Sequence, residues 1–133
     1  MERRGVIVLD THAWIWWAAE PRRLSMRARE AIAQAESLGV AAISCWEIAM
    51  LVAKGRLELD RDILVWLRQA LALPRVVTLP LTPEIAVASS RLPEGFPGDP
   101  ADRMIAAAAL ENRAPVVSKD ARLRGWNGLK TIW

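Results

Sequence analysis

The chain has 133 residues, 53% of them hydrophobic and 25% charged, and carries a net charge of +3. That length and balance suit one domain over residues 1–133 with one core, and they exclude a disordered polyelectrolyte. No apolar run is long enough to span a bilayer, and Met1-Glu2-Arg3-Arg4 leads into only a short apolar segment; with a single cysteine ruling out an internal disulfide, a cytoplasmic protein without a membrane anchor is expected.

Residues 5–9, Gly-Val-Ile-Val-Leu, read as a buried strand, short and rich in β-branched side chains. Residues 11–17 follow as a short helix, broken at Glu20-Pro21. Residues 25–37 read as a helix with Ser25 as N-cap and Gly39 as its stop. Residues 40–43 make the second strand. Ser44 caps the next helix, which carries Glu47 and stops near Lys54-Gly55-Arg56. Residues 62–73 form a helix ended before Pro74, and residues 76–79 the third strand. A helix over 83–91, a turn-rich loop over 93–98 and a strong helix over 100–111 come next. Residues 116–118 and 130–132 are the fourth and fifth strands. Short buried strands alternating with helices imply an α/β fold with a mainly parallel five-stranded sheet. In such sheets, sites form at the carboxyl ends of the strands.

Four acids fall at those ends or at helix starts: Asp10, Glu47, Asp102 and Asp120. Asp10 and Asp120 each suit a helix cap or an Asx turn as well as a site. Asp99 reads as an N-cap first and a site residue second, with Pro100 at N1 and Asp102 at N3 favouring the helix dipole. Asp102 also heads a stripe running through Ile105, Ala106 and Ala109. Glu47 is the most telling, because Met50 and Leu51 at i+3 and i+4 place it on an apolar stripe. A glutamate buried there has a cation, is protonated, or pairs with an arginine. Gathered together, like charges ~4 Å apart repel by about 1 kcal/mol in water and roughly 4 at an effective dielectric of 20. Mg²⁺ is the ready counter-ion, with Mn²⁺ the alternative, and oxygen ligands suit both. An all-carboxylate metal site points to phosphodiester hydrolysis. The basic, arginine-rich balance suits an anionic partner such as nucleic acid, and equally a high-GC genome.

Four stretches carry a resemblance: Leu9-Asp10-Thr11-His12-Ala13-Trp14, Ser44-Cys45-Trp46-Glu47-Ile48-Ala49, Asp99-Pro100-Ala101-Asp102-Arg103-Met104, and Ser118-Lys119-Asp120. In order and across essentially the whole chain, they resemble the PIN-domain ribonucleases, most closely the VapC-type toxins of toxin–antitoxin pairs. The resemblance implies a three-layer α/β/α sandwich, a homodimer, an RNA substrate and a small antitoxin that blocks the site. It implies that Asp10 and Asp102 are the main metal-holding carboxylates, with Glu47 and Asp120 completing the cluster. Thr11 would orient water or substrate, and Ser118 would support Asp120. Arg103 reads equally as a phosphate contact or a solvated or ion-paired arginine. His12 stands where many PIN domains have Asn or Ser, and a packed or hydrogen-bonded role is expected for it.

Seven tryptophans remain. Trp14, Trp16 and Trp17 crowd one short helix, so at least one is expected to be exposed or covered by a partner. Trp46 and Trp66 are expected in the core. Two rivals to a toxin are a housekeeping PIN nuclease and, in another class, a phosphoacceptor or binding module. The phosphoacceptor reading wants a paired acid at the first strand. Glu2 lies on the wrong side of that strand, and Glu47 would go unexplained.

Overall fold

Runs of β-branched residues alternate with helix-forming segments along the computed structural model, which describes residues 5–133. The readings made on Glu2 and on the first four residues lie outside it. The strands are β1 (Val6–Leu9), β2 (Ser37–Ala41), β3 (Val76–Leu79), β4 (Val116–Val117) and β5 (Thr131–Ile132). The helices are α1 (Thr11–Ala19), α2 (Met26–Gln34), α3 (Ala42–Ala53), α4 (Ile63–Leu71), α5 (Pro83–Ser90) and α6 (Pro100–Glu111). Every strand pairing is parallel, in the order β3-β2-β1-β4-β5. The chain winds outward from β1 to β3, then returns to the other side of β1 as β4. The carboxyl ends of β1 and β4 therefore form a topological switch point, where an open parallel sheet makes its crevice.

Side chains alternate across the sheet and divide the core in two. Ile7, Leu9, Leu38, Val40 and Val117 face one layer with Trp14, Ile32, Ile48 and Trp66. Val6, Val8, Leu79 and Val116 face the other, with Ile85, Ile105 and the alanines Ala106 to Ala109. The expected three-layer α/β/α sandwich is thus the observed architecture.

The second strand differs from expectation. It runs Ser37–Ala41 and not residues 40–43, with Val6 opposite Ser37 and Leu9 opposite Val40. Helix α2 stops at Gln34, three residues short of the expected end. Arg75 explains the early stop: its guanidinium donates to the carbonyls of Ile32 and Ala35 at 2.7 and 2.8 Å, from a left-handed backbone at φ 71°. A side chain some forty positions away satisfies carbonyls that a local glycine would otherwise have served. Gly39 is in mid-strand for another reason. A Cβ there would lie 2.9 Å from Leu79 Cδ1, so the glycine admits the neighbouring strand's leucine.

The tryptophans also sort differently. Trp14 and Trp16 are buried, and Trp17 packs partly buried against the same core, so none of the three is left exposed. Helix α1 lies between the sheet and its neighbours and is apolar almost all round. Trp66 is in the core as expected, meeting Trp14 edge-on at 5.7 Å. Trp46 is not: it is 52% exposed. Ser44 and Ile48, four apart, point α3 inward, and Trp46 lies about 200° round the helix from Ser44.

Candidate active site

Three of the acids are held by the same local device. Each ends a strand or loop and caps the turn that follows. Asp10 Oδ1 accepts from Ala13 N at 2.9 Å, Asp99 Oδ1 from Asp102 N at 3.0 Å, and Asp120 Oδ1 from Arg122 N at 2.9 Å. Capping and site-building are therefore compatible here, because capping Asp10 and Asp99 uses one carboxylate oxygen and leaves the other. The helix N-termini behind Asp10 and Asp99 favour the negative charge.

Glu47 comes from one turn inside α3, on the flank of its buried face, and is half-buried where full burial was expected. Among the described residues no arginine pairs with it; the buried Thr11 hydroxyl donates to its Oε1 instead. Thr11 also lies 3.0 Å from the Ser44 hydroxyl. A hydroxyl has one proton to give, so a relay from Ser44 through Thr11 to Glu47 satisfies all three groups. This contact ties α1 to α3. It also uses the Ser44 hydroxyl that was expected to cap α3, which begins at Ala42 without a side-chain cap. Ser118, fully buried, accepts from the Asp120 amide at 3.0 Å and orients the turn that carries Asp120.

Asp10, Thr11, Glu47, Asp99, Asp102 and Asp120 line one cleft of about 450 Å³, together with His12, Trp16, Lys119 and Arg122. Oxygens of Glu47, Asp99 and Asp102 lie within 4.8 Å of one another. The carboxylates feel this crowding. Burial pushes the Asp102 carboxyl up to about 7, and the charges of Asp99, Glu47, Asp120 and Asp10 add to it. Asp10 is also raised, by burial first and by Glu47, against the lowering effect of the Ser118 hydroxyl and the Ala13 amide. Asp120 moves the other way, because Arg122 grips it through Nε and Nη2. A crowded donor set made only of oxygens fits a hard divalent cation such as Mg²⁺ or Mn²⁺.

Arg103 does not line the cleft. Its guanidinium donates to the carbonyls of Ser89, Phe96 and Pro97 at 3.1 to 3.3 Å and fastens the 93–98 loop to α5. His12 is exposed at the cleft wall, its ring packed 5.7 Å from that of Trp16. Lys119 Nζ stands 5.9 Å above the same indole. Sequence reasoning missed Arg122; the spacing Asp120-Ala121-Arg122 across a tight turn was the available signal.

The PIN-domain family model matches residues 7–127. Ribonuclease VapC22 of Mycobacterium tuberculosis (strain ATCC 25618 / H37Rv) is 45% identical over 129 residues, spanning 96% of this chain and 98% of that protein. Among solved structures, VapBC2 from Rickettsia felis bound to a DNA fragment from their promoter matches with TM-score 0.70 at 15% identity, over 95% of this chain and 96% of that one. DNA-bound VapBC from Salmonella typhimurium matches with TM-score 0.69 at 19% identity, over 98% and 97%. At such identities the two structures speak to the fold alone.

Proposed function

The chain belongs to the PIN-domain family, and from that premise we propose that it is a Mg²⁺-dependent endoribonuclease, the toxin of a toxin–antitoxin pair. One observation carries the proposal. Asp10, Glu47, Asp99, Asp102 and Asp120 line a single cleft at the sheet's switch point, and none among them but Asp102 and Asp120 has an ion-pair partner among the described residues. Asp10 and Asp102, which line the same cleft, would hold the cation, with Glu47 and Asp99, whose oxygens lie within 4.8 Å of one another and of an Asp102 oxygen, contributing beside them. A bound divalent cation supplies charge neutralisation at the phosphate and makes water a stronger acid. Thr11 holds the Glu47 carboxylate in place. Asp120, which Arg122 grips through Nε and Nη2, would orient water at the cleft mouth. Lys119 and Arg122 offer positive charge to the RNA backbone beside an otherwise acidic cleft.

The 45% identity to a VapC ribonuclease favours the toxin over a housekeeping nuclease. A toxin of this kind has a small antitoxin as its partner, works as a homodimer, and acts in the cytoplasm as one nuclease domain over residues 1–133. Exposed Leu64, Val65, Leu81 and Val87 supply apolar surface for such partners. None of the helices over the described residues is long and apolar enough to cross a membrane.

The test is cleavage of a mixed RNA pool by purified, antitoxin-free protein in Mg²⁺ or EDTA, beside Asp10→Asn. Cutting that needs Mg²⁺ and falls at least a hundredfold in the variant supports the proposal. Equal cutting in EDTA, or by the variant, refutes it.

A further inference from the structure

Arg122 is the one cation paired with the acidic cluster among the described residues. Its guanidinium forks onto Asp120, with Nε 3.0 Å from Oδ1 and Nη2 2.7 Å from Oδ2. The same Nη2 lies 3.6 Å from Asp102 Oδ2, too far for a hydrogen bond but within reach of charge. Arg122 thus bridges two acids, one of them a member of the tight oxygen triplet. The bridge is loosely held. The Arg122 side chain is 65% exposed, and solvent screens such surface pairs. Its backbone is anchored independently: the amide binds Asp120 Oδ1, and the carbonyl accepts from Trp126 Nε1 at 2.9 Å. The side chain can therefore leave without unwinding the turn.

We infer that Arg122 is a displaceable internal counter-ion, which neutralises Asp102 and Asp120 in the metal-free cleft and is released by an entering divalent cation to hold the RNA backbone. This rests on the nuclease reading above. A monovalent guanidinium and a divalent cation compete for the same carboxylates, and two positive charges at one cluster repel. Once released, the guanidinium keeps its planar fork, which matches a phosphate as well as it matches a carboxylate. Arg122 and Lys119 line the same cleft, so the freed group sits beside a second cation along the path of the polyanion.

Competition and mere positioning predict opposite signs. If Arg122 only held Asp120 in place for the metal, its removal would weaken metal binding. If it competes, its removal tightens binding. The experiment is titration of the full, antitoxin-free chain with Mn²⁺ alone, the free ion read by electron paramagnetic resonance, for wild type, Arg122→Gln and Arg122→Lys. The expected result is roughly tenfold tighter Mn²⁺ binding by Arg122→Gln, equivalent to ~1.4 kcal/mol, with Arg122→Lys in between. Unchanged or weaker binding by Arg122→Gln overturns competition. At saturating Mn²⁺, Arg122→Gln should raise the KM for RNA several-fold with little change in kcat, and an unchanged KM overturns the release to RNA. No Mn²⁺ binding by any of the three proteins strikes the metal-dependent reading itself, a result distinct from binding of equal strength.

Discussion

Replacing Asp102 with asparagine should make the metal-free protein more stable at alkaline pH while abolishing cleavage. The carboxyl has an ordinary pKa of 3.8 and is pushed up to about 7 in the fold, by burial and then by Asp99, Glu47, Asp120 and Asp10. Below pH 3.8 it is protonated in folded and unfolded chains alike, and it contributes no penalty. Between 3.8 and about 7 the unfolded chain ionises first and binds fewer protons, so stability falls as pH rises. Above about 7 the loss is complete. Full conversion of that shift gives ~4 kcal/mol. The side chain is 22% exposed and Arg122 stands 3.6 Å away, so screening brings the figure to ~2 kcal/mol. Asparagine gives up some helix-dipole energy in the first turn of α6, about 0.5 kcal/mol. The net gain of ~1.5 kcal/mol should raise the Tm by about 5–7 °C for a chain of this size. Thermal melts in EDTA near pH 8 and near pH 5 measure it, and the gain should fall to about half at the lower pH, where the unfolded chain is ionised but only part of the shift has been crossed. An Asp102→Asn Tm at or below wild type near pH 8 would refute the claim that crowded charge sits on this carboxyl.

Mg²⁺ should stabilise the wild-type protein more near pH 8 than near pH 5, because bound metal needs ionised carboxylates; an equal Tm increment at both would contradict that linkage. Thr11→Val keeps the shape but removes the hydroxyl between Ser44 and Glu47. It should cost about 1–2 kcal/mol in urea unfolding and lower kcat about tenfold with the far-ultraviolet circular dichroism spectrum unchanged. Wild-type kcat in this variant would remove Glu47 positioning from the mechanism. Gly39→Ala should destabilise the fold by about 1–3 kcal/mol, since its Cβ would press on Leu79 at 2.9 Å, and an unchanged urea midpoint would show that Leu79 yields freely.

Much of the fold was legible because the determinants were local. The strands β1 and β3 and the helix α6 were each bounded by their own apolar runs, caps and prolines. The start of β2 was not, because its position depends on pairing with β1 and on Arg75 reaching back to the end of α2. A glycine after a helical run is locally a good helix stop, and nothing nearby reveals that Leu79 needs that space. The reading of Trp46 failed for a related reason. Its hydrophobicity was plain, but the buried face of α3 is chosen by Ser44 meeting Thr11 and by Ile48 meeting the core.

The site shows the same division more sharply. Acids at strand ends were visible because parallel α/β topology converges those ends whatever the details. Whether an aspartate capped a helix or served a site was undecidable from spacing, and the geometry makes the question a false choice. Asp10 and Asp99 each give one oxygen to a backbone amide, and the cap itself fixes the direction of the carboxylate. Losing such a cap would therefore disturb site and fold together. The counter-charge was the hidden part. Arginines are numerous in this chain, and only the three-dimensional arrangement separates Arg103, spent on backbone carbonyls, from Arg122, resting on two acids in the cleft. A cluster of carboxylates is easily inferred from sequence. What neutralises it when no metal is bound depends on which flexible side chain can reach it, and that is a property of the folded chain.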